Sequence, residues 1–196
     1  MIRPRTARKP RRGTMKLDLA SGLVRGVRFV ASPNCDARPD EASVDVLVIH
    51  SISLPPGEFG GSGIEQLFCN CLDPDAHPHY REIMDLAVSA HFLIRRNGEV
   101  VQFVPLHQRA WHAGQSYCEG RTRVNDFSVG IELEGTDDMP FEDAQYESLA
   151  RLTGIIRRLY PAITRERIYG HGDIAPGRKT DPGPMFDWIR YLKACS

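Results

Sequence analysis

Two histidines and an aspartate stand where a chain could build a reaction centre. His50 closes the β-branched run Val44-Asp45-Val46-Leu47-Val48-Ile49, after which Leu54-Pro55-Pro56-Gly57 and Gly60-Gly61 break the chain into a loop. Loops held at the ends of buried elements are where site residues gather. His171 follows the short strand-like segment Arg167-Ile168-Tyr169 and opens a polar loop that holds Asp173, Arg178, Lys179 and Asp181. Two imidazoles and one carboxylate would leave the fourth position of a zinc ion to water, the arrangement of catalytic rather than structural zinc. Spacing alone does not single out this set. Seven histidines are present, at 50, 77, 79, 91, 107, 112 and 171. His91, at the start of a strand, and His112, in the loop Ala110-Trp111-His112-Ala113-Gly114, compete as ligands. A structural role is the default for both. His77, His79 and His107 sit in loops and read as solvated.

Carboxylates suited to proton transfer lie in Ser128-Val129-Gly130-Ile131-Glu132-Leu133-Glu134, where apolar residues alternate with polar ones. The period of two puts Glu132 and Glu134 on one face of the strand. Either both face solvent from an edge strand, or one is buried for a purpose, since a buried carboxylate is costly unless paired or used. The five cysteines, at 35, 69, 71, 118 and 195, are odd in number and follow no secretory signal, so they read as free thiols. The single-residue spacer of Cys69-Asn70-Cys71 is shorter than structural zinc sites use.

The elements that must position these groups can be read from periodicity. Residues 44–49 form a buried strand. His91 to Arg96 and Glu99 to Val104 flank Asn97-Gly98, which predicts a hairpin on a type I′ turn. Tyr146, Leu149, Leu152, Ile156 and Leu159 fall at helical spacing, so a helix runs from about 141 to 160 and stops at Pro161. Short helices are expected over 63–72 and 185–193, with 73–80 as loop and 17–43 wrapping the surface. Strands interspersed with helices indicate an α/β (α+β) fold, a central mixed β-sheet flanked by helices.

Lys plus Arg equals Asp plus Glu at 25 each, which provides no overall field for nucleic acid or an anionic membrane. Residues 1–16 carry seven basic residues and no acid, without an apolar stretch, and read as a disordered tail, with Met15 an alternative start. Residues 17–196 are long enough for one domain with a sizeable core.

Five blocks in order carry a resemblance: Val48 to Gly61, Val88-Ser89-Ala90-His91-Phe92-Leu93-Ile94, Ala110-Trp111-His112-Ala113-Gly114, Asn125 to Gly135, and Gly170-His171 through Lys179-Thr180-Asp181-Pro182-Gly183-Pro184. Together, over about residues 17–192, they resemble the AmpD-type N-acetylmuramoyl-L-alanine amidases. The superfamily also includes phage-type amidases and peptidoglycan recognition proteins. The resemblance implies a zinc enzyme with His50, His171 and Asp181 as ligands, Glu132 as the catalytic carboxylate and Lys179 as the catalytic lysine. It does not carry over His91, His112, Asp173 or Glu134 as ligands. It implies a cytoplasmic monomer acting on recycled anhydromuropeptides, without nucleic-acid or membrane partners. Arg123 is expected to bind a stem-peptide carboxylate, with Ser51, Trp111 and His112 in the cleft. Where some members have a basic residue before the Val-Ser-Ala-His block, this chain has Ala87, and Arg81 is the substitute on offer. The other readings are a non-catalytic muropeptide-binding module and a lytic amidase acting on intact murein.

Overall fold

The computed structural model describes residues 14–195. The basic tail expected at 1–16 falls outside them up to residue 13, while Lys16–Asp18 already pairs with Leu23–Arg25 in a small antiparallel ribbon. The central sheet has six strands: β1 (Arg28–Phe29), β2 (Val46–Ile52), β3 (Phe92–Ile94), β4 (Val100–Gln102), β5 (Ser128–Glu134) and β6 (Ile168–Gly170). Their order across the sheet is β6-β2-β5-β3-β4-β1. β6, β2, β5 and β3 run parallel, and β4 returns antiparallel to β3. The sheet is mixed, as expected.

Helices cover both faces: α1 (Gly63–Phe68), α2 (Pro78–Ile83), α3 (Asp143–Leu159), α4 (His171–Ile174) and α5 (Trp188–Ala194). Alternation along β2 and β5 sorts their side chains. Leu47, Ile49, Val129, Ile131 and Leu133 join Leu149, Leu152 and Ile156 of α3 and Tyr191 of α5 in the main core. Residues of the other parity face α1, α2 and long loops, where two smaller clusters form around Leu93, Phe103, Ile64 and Phe68 and around Val46, Val48, Val124 and Phe127. The second face is therefore less completely filled with hydrocarbon, and the polar residues of β2 and β5 emerge there.

Several local expectations change. The hairpin forms, but its turn is not type I′. Gly98 donates its N–H to the Arg95 carbonyl, Arg95 N–H bonds to Glu99, and only Gly98 takes a positive φ, 82°. A three-residue connection with glycine in the left-handed position is the geometry of a type I turn closed by a bulge. α1 ends at Phe68 rather than 72, and α2 begins inside the expected loop because His77 Nδ1 accepts from the His79 N–H ahead of Pro78. α5 starts at Trp188, capped by Asp187 Oδ1 accepting from Arg190 N–H. β5 lies between β2 and β3, so Glu132 and Glu134 do not face solvent from an edge strand.

Candidate active site

Parallel register assembles the first part of the site. Glu132 of β5 pairs with His50 of β2, and the two side chains emerge beside each other on one face. Gly170 of β6 pairs with Ile49, which delivers His171, one residue further on, next to His50. Neighbouring strands lie about 4.8 Å apart, close enough for these side chains to meet.

Asp181 arrives by a loop that packs closely on the start of α4. Gly172 N–H donates to the Asp181 carbonyl oxygen at 2.9 Å. A Cβ on Gly170 would stand 2.9 Å from Pro182 Cδ, and one on Gly172 would stand 3.3 Å from the Lys179 carbonyl oxygen. The two glycines that flank His171 thus admit the 179–182 segment. Asp173 has another task, accepting the Gly170 N–H at 2.7 Å ahead of α4.

The three groups converge. His50 Nδ1 lies 3.0 Å from His171 Nδ1, and Asp181 Oδ2 lies 3.1 Å from each of them. Among the described residues this is the one set of three or more His, Cys, Asp or Glu side chains gathered closely enough to hold a metal ion. A tetrahedral ion with bonds of about 2.0–2.1 Å keeps its donors about 3.3 Å apart, so the triangle is close to one face of such a shell. Nitrogen and carboxylate donors of this kind suit a borderline divalent ion.

The electrostatics agree with a ligand set. Burial pushes His50 down to about 4, outweighing the pull of the Asp181 carboxylate beside it, and nearby His171 and Lys179 add to the depression. The ring is therefore neutral at pH 7, the form a metal requires. Burial raises Asp181, but the His171 and His50 rings against it more than offset this and hold the carboxyl below its ordinary range. Glu132 behaves in the opposite way. Its Oε2 is sealed from solvent without a hydrogen-bond partner. Burial and the neighbouring Asp181 charge push it well above the ordinary value, while Lys179, exposed but near enough to act, opposes them.

The remaining site candidates are dispersed around this centre. Trp111 donates from Nε1 to Asp36 at 3.2 Å. Arg109 bonds to both Asp36 and Asp126, and Arg123 Nε donates to Asp126 at 2.9 Å. Trp111 and Arg123 are thus tied to one charged cluster, with the Arg123 side chain largely exposed. Ser51 lies on β2 next to His50, so alternation directs it to the opposite face. His112 does not open into a cleft. Its buried ring sits between His50 Nε2, at 2.9 Å, and the Ser128 hydroxyl, at 3.1 Å. His91 is buried as well, with Nδ1 accepting from Gly130 N–H. His79 bonds to Glu82, and His107 bonds to the Leu19 carbonyl. Arg81 is engaged by Asp75 and the Pro74 carbonyl. All five cysteines are free.

Sequence reasoning missed Asn125, whose Oδ1 accepts the backbone N–H groups of both His112 and Ala113. It placed Arg178 only as a cation of the loop after His171, whereas Arg178 donates to the Ala113 and Gln115 carbonyls. Both organise the loop behind the two histidines. Their signal was indirect: polar residues next to Ala110-Trp111-His112-Ala113-Gly114 or in the loop after His171, with no pattern that gives their partners.

Residues 40–184 match the model of the N-acetylmuramoyl-L-alanine amidase family. The chain belongs to that family. It is an enzyme, an amidase. The 1,6-anhydro-N-acetylmuramyl-L-alanine amidase AmpD of Enterobacter cloacae is 58% identical over 173 residues, which span 88% of this chain and 92% of that protein. The crystal structure of a selenomethionine AmpD derivative superposes with a TM-score of 0.89 at 54% identity, covering 93% of this chain and 100% of that one. The N-acetylmuramyl-L-alanine amidase AmiD from E. coli is more distant at 34% identity and a TM-score of 0.57, over 80% of this chain and 60% of its own. That protein was solved in complex with the substrate anhydro-N-acetylmuramic acid-L-Ala-D-gamma-Glu-L-Lys. Peptidoglycan turnover is thus the setting of this amidase, and its mixed sheet with flanking helices is the architecture of the AmpD and AmiD structures.

Proposed function

We propose that this amidase is a zinc hydrolase that cuts the amide joining (1,6-anhydro-)N-acetylmuramic acid to L-alanine in soluble muropeptides, as a cytoplasmic monomer in peptidoglycan recycling. Residues 17–196 would form its catalytic domain. The observation that carries the reading is the triangle of His50, His171 and Asp181 donor atoms with the buried, unpartnered Glu132 Oε2 on the neighbouring strand. The anhydro substrate is supported by the high identity to AmpD over nearly its full length.

Zinc held by these three groups would supply a Lewis acid and a water whose pKa falls to about 7. Glu132 then has the task of taking the proton from the attacking water. Its raised proton affinity suits a base that later returns the proton to the leaving alanine nitrogen. Lys179, two residues before Asp181, contributes a positive charge to the oxygen that becomes negative as the carbonyl is attacked. Arg123, with an exposed planar guanidinium, is suited to a stem-peptide carboxylate, and Trp111 to the wall of the cleft. Among the described residues no helix is long and apolar enough to cross a membrane.

The substrate assignment is tested by offering anhydromuramyl-tripeptide and purified murein sacculi to the zinc-loaded protein. Release of tripeptide from the soluble fragment, with negligible release from sacculi, is the expected result. Efficient solubilisation of sacculi would replace the recycling role with a lytic one.

A further inference from the structure

The buried contacts behind His50 fix the direction of every hydrogen bond in a chain. Ser128 Oγ lies 2.6 Å from the Val124 carbonyl oxygen. A carbonyl only accepts, so the single hydroxyl hydrogen is committed there. Toward His112 Nε2, at 3.1 Å, the hydroxyl can therefore only accept, and His112 carries its proton on Nε2. A second proton on its Nδ1 would bury an unpaired charge. The bare Nδ1 of His112 lies 2.9 Å from His50 Nε2, which must donate to it. The lone pair of His50 Nδ1 is left facing His171 and Asp181.

The neighbouring residue stands against His171. The Ala113 carbonyl lies 3.2 Å from His171 Nε2 and accepts from Arg178 Nη2, which is itself 3.4 Å from that nitrogen. Consecutive residues 112 and 113 therefore serve as outer partners to both histidines, and Asn125 Oδ1 holds both of their backbone N–H groups, at 3.1 and 2.8 Å. The seat for the ring is equally specific. A Cβ on Gly130 would stand 2.5 Å from His112 Cγ, so only glycine leaves room for it.

We propose that His112, oriented by Ser128 and seated over Gly130, is a positioning residue that locks His50 with its proton on Nε2 and thereby sets metal affinity, without touching substrate. This rests on the metal reading above. His112→Phe keeps an aromatic ring but has no acceptor for His50, whereas His112→Asn restores an acceptor on a similar arm. Zinc affinity is measured on the folded proteins by competition with a chromogenic chelator. The expected loss is about 10- to 100-fold for Phe, with Asn recovering most of it. Nitrogen-15 NMR of the zinc-free wild type is expected to show His50 and His112 protonated on Nε2, and Ser128→Ala to mix the tautomers of His112. A Phe variant that binds zinc within about twofold of wild type overturns the proposal, as does a wild-type His50 protonated on Nδ1. The NMR arm decides the matter if the Phe variant does not fold. A wild type that binds no zinc removes the metal reading itself, which is a different failure.

Discussion

Glu132 is held in a state that suits chemistry and not the resting fold. Its folded-state proton affinity is raised, so the ionised form is disfavoured in the native protein relative to the unfolded chain. The resulting cost is absent below the ordinary glutamate pKa of about 4.3 and grows as pH rises above it. Glu132→Gln removes the charge. In the metal-free protein this variant is expected to be more stable at pH 7, because the ionised carboxylate that the fold disfavours is no longer formed. The gain should vanish near pH 4, as thermal unfolding at the two pH values would show. The same substitution is expected to lower kcat by about 10²- to 10⁴-fold through loss of the proton acceptor. Equal stability at pH 7 would mean that Glu132 is better solvated than its unpartnered Oε2 indicates.

At the scale of elements, β5 holds two glutamates on one face and uses them differently. Glu134, 1% exposed, accepts from Arg95 Nη1 at 2.8 Å, Gly60 N–H at 2.7 Å and Arg96 N–H at 3.1 Å. It fastens the loop after β2 to the β3–β4 turn. Glu134→Gln breaks a buried ion pair, although Arg95 keeps Glu65 at 2.7 Å. The expected cost is about 3 kcal/mol, the low end for such a change. Amide exchange should accelerate first around Gly60. These roles separate only once strand order is known. Periodicity showed that the two glutamates share a face, and hydrophobic runs located β2, β5 and α3. The two candidate-ligand histidines were legible from the apolar runs before them, although β2 continues two residues past His50 and His171 opens α4. His112 was not, since its place depends on the cross-sheet neighbour Gly130 and on a loop folded back by Asn125. The type of the hairpin turn escaped for a related reason. Asn-Gly permits two positive angles, but the register of β3 on β4 requires one.

For the whole molecule, three buried histidines couple folding to pH. Burial lowers His50 to about 4, His91 to about 3 and His112 well below 6.5. In the unfolded chain each has a pKa of about 6.5. Their stabilising contribution is complete above that value and is lost as pH falls toward the folded values. In the metal-free Glu132→Gln protein, where the opposing titration of Glu132 is absent, Tm is expected to be constant above pH 7 and to fall from about pH 6.5 downward, with as many as three protons taken up on unfolding. His91→Gln should reduce that slope by about one proton. Zinc acts in the other direction, since it binds only the assembled site. At about 100 times its Kd it is expected to add about 2.7 kcal/mol, raising Tm by roughly 5–10 °C in a domain of this size.

The central claim, a hydrolytic metal centre made by His50, His171 and Asp181, is tested most directly by titrating zinc into the metal-free protein while following peptide release from anhydromuramyl-tripeptide. Activity is expected to be absent at the start, to rise in proportion to added zinc, and to level off at about one equivalent per chain. The His50→Ala and Asp181→Ala proteins should show no such rise. Full activity in the metal-free protein, or an unchanged titration in either variant, would contradict the account.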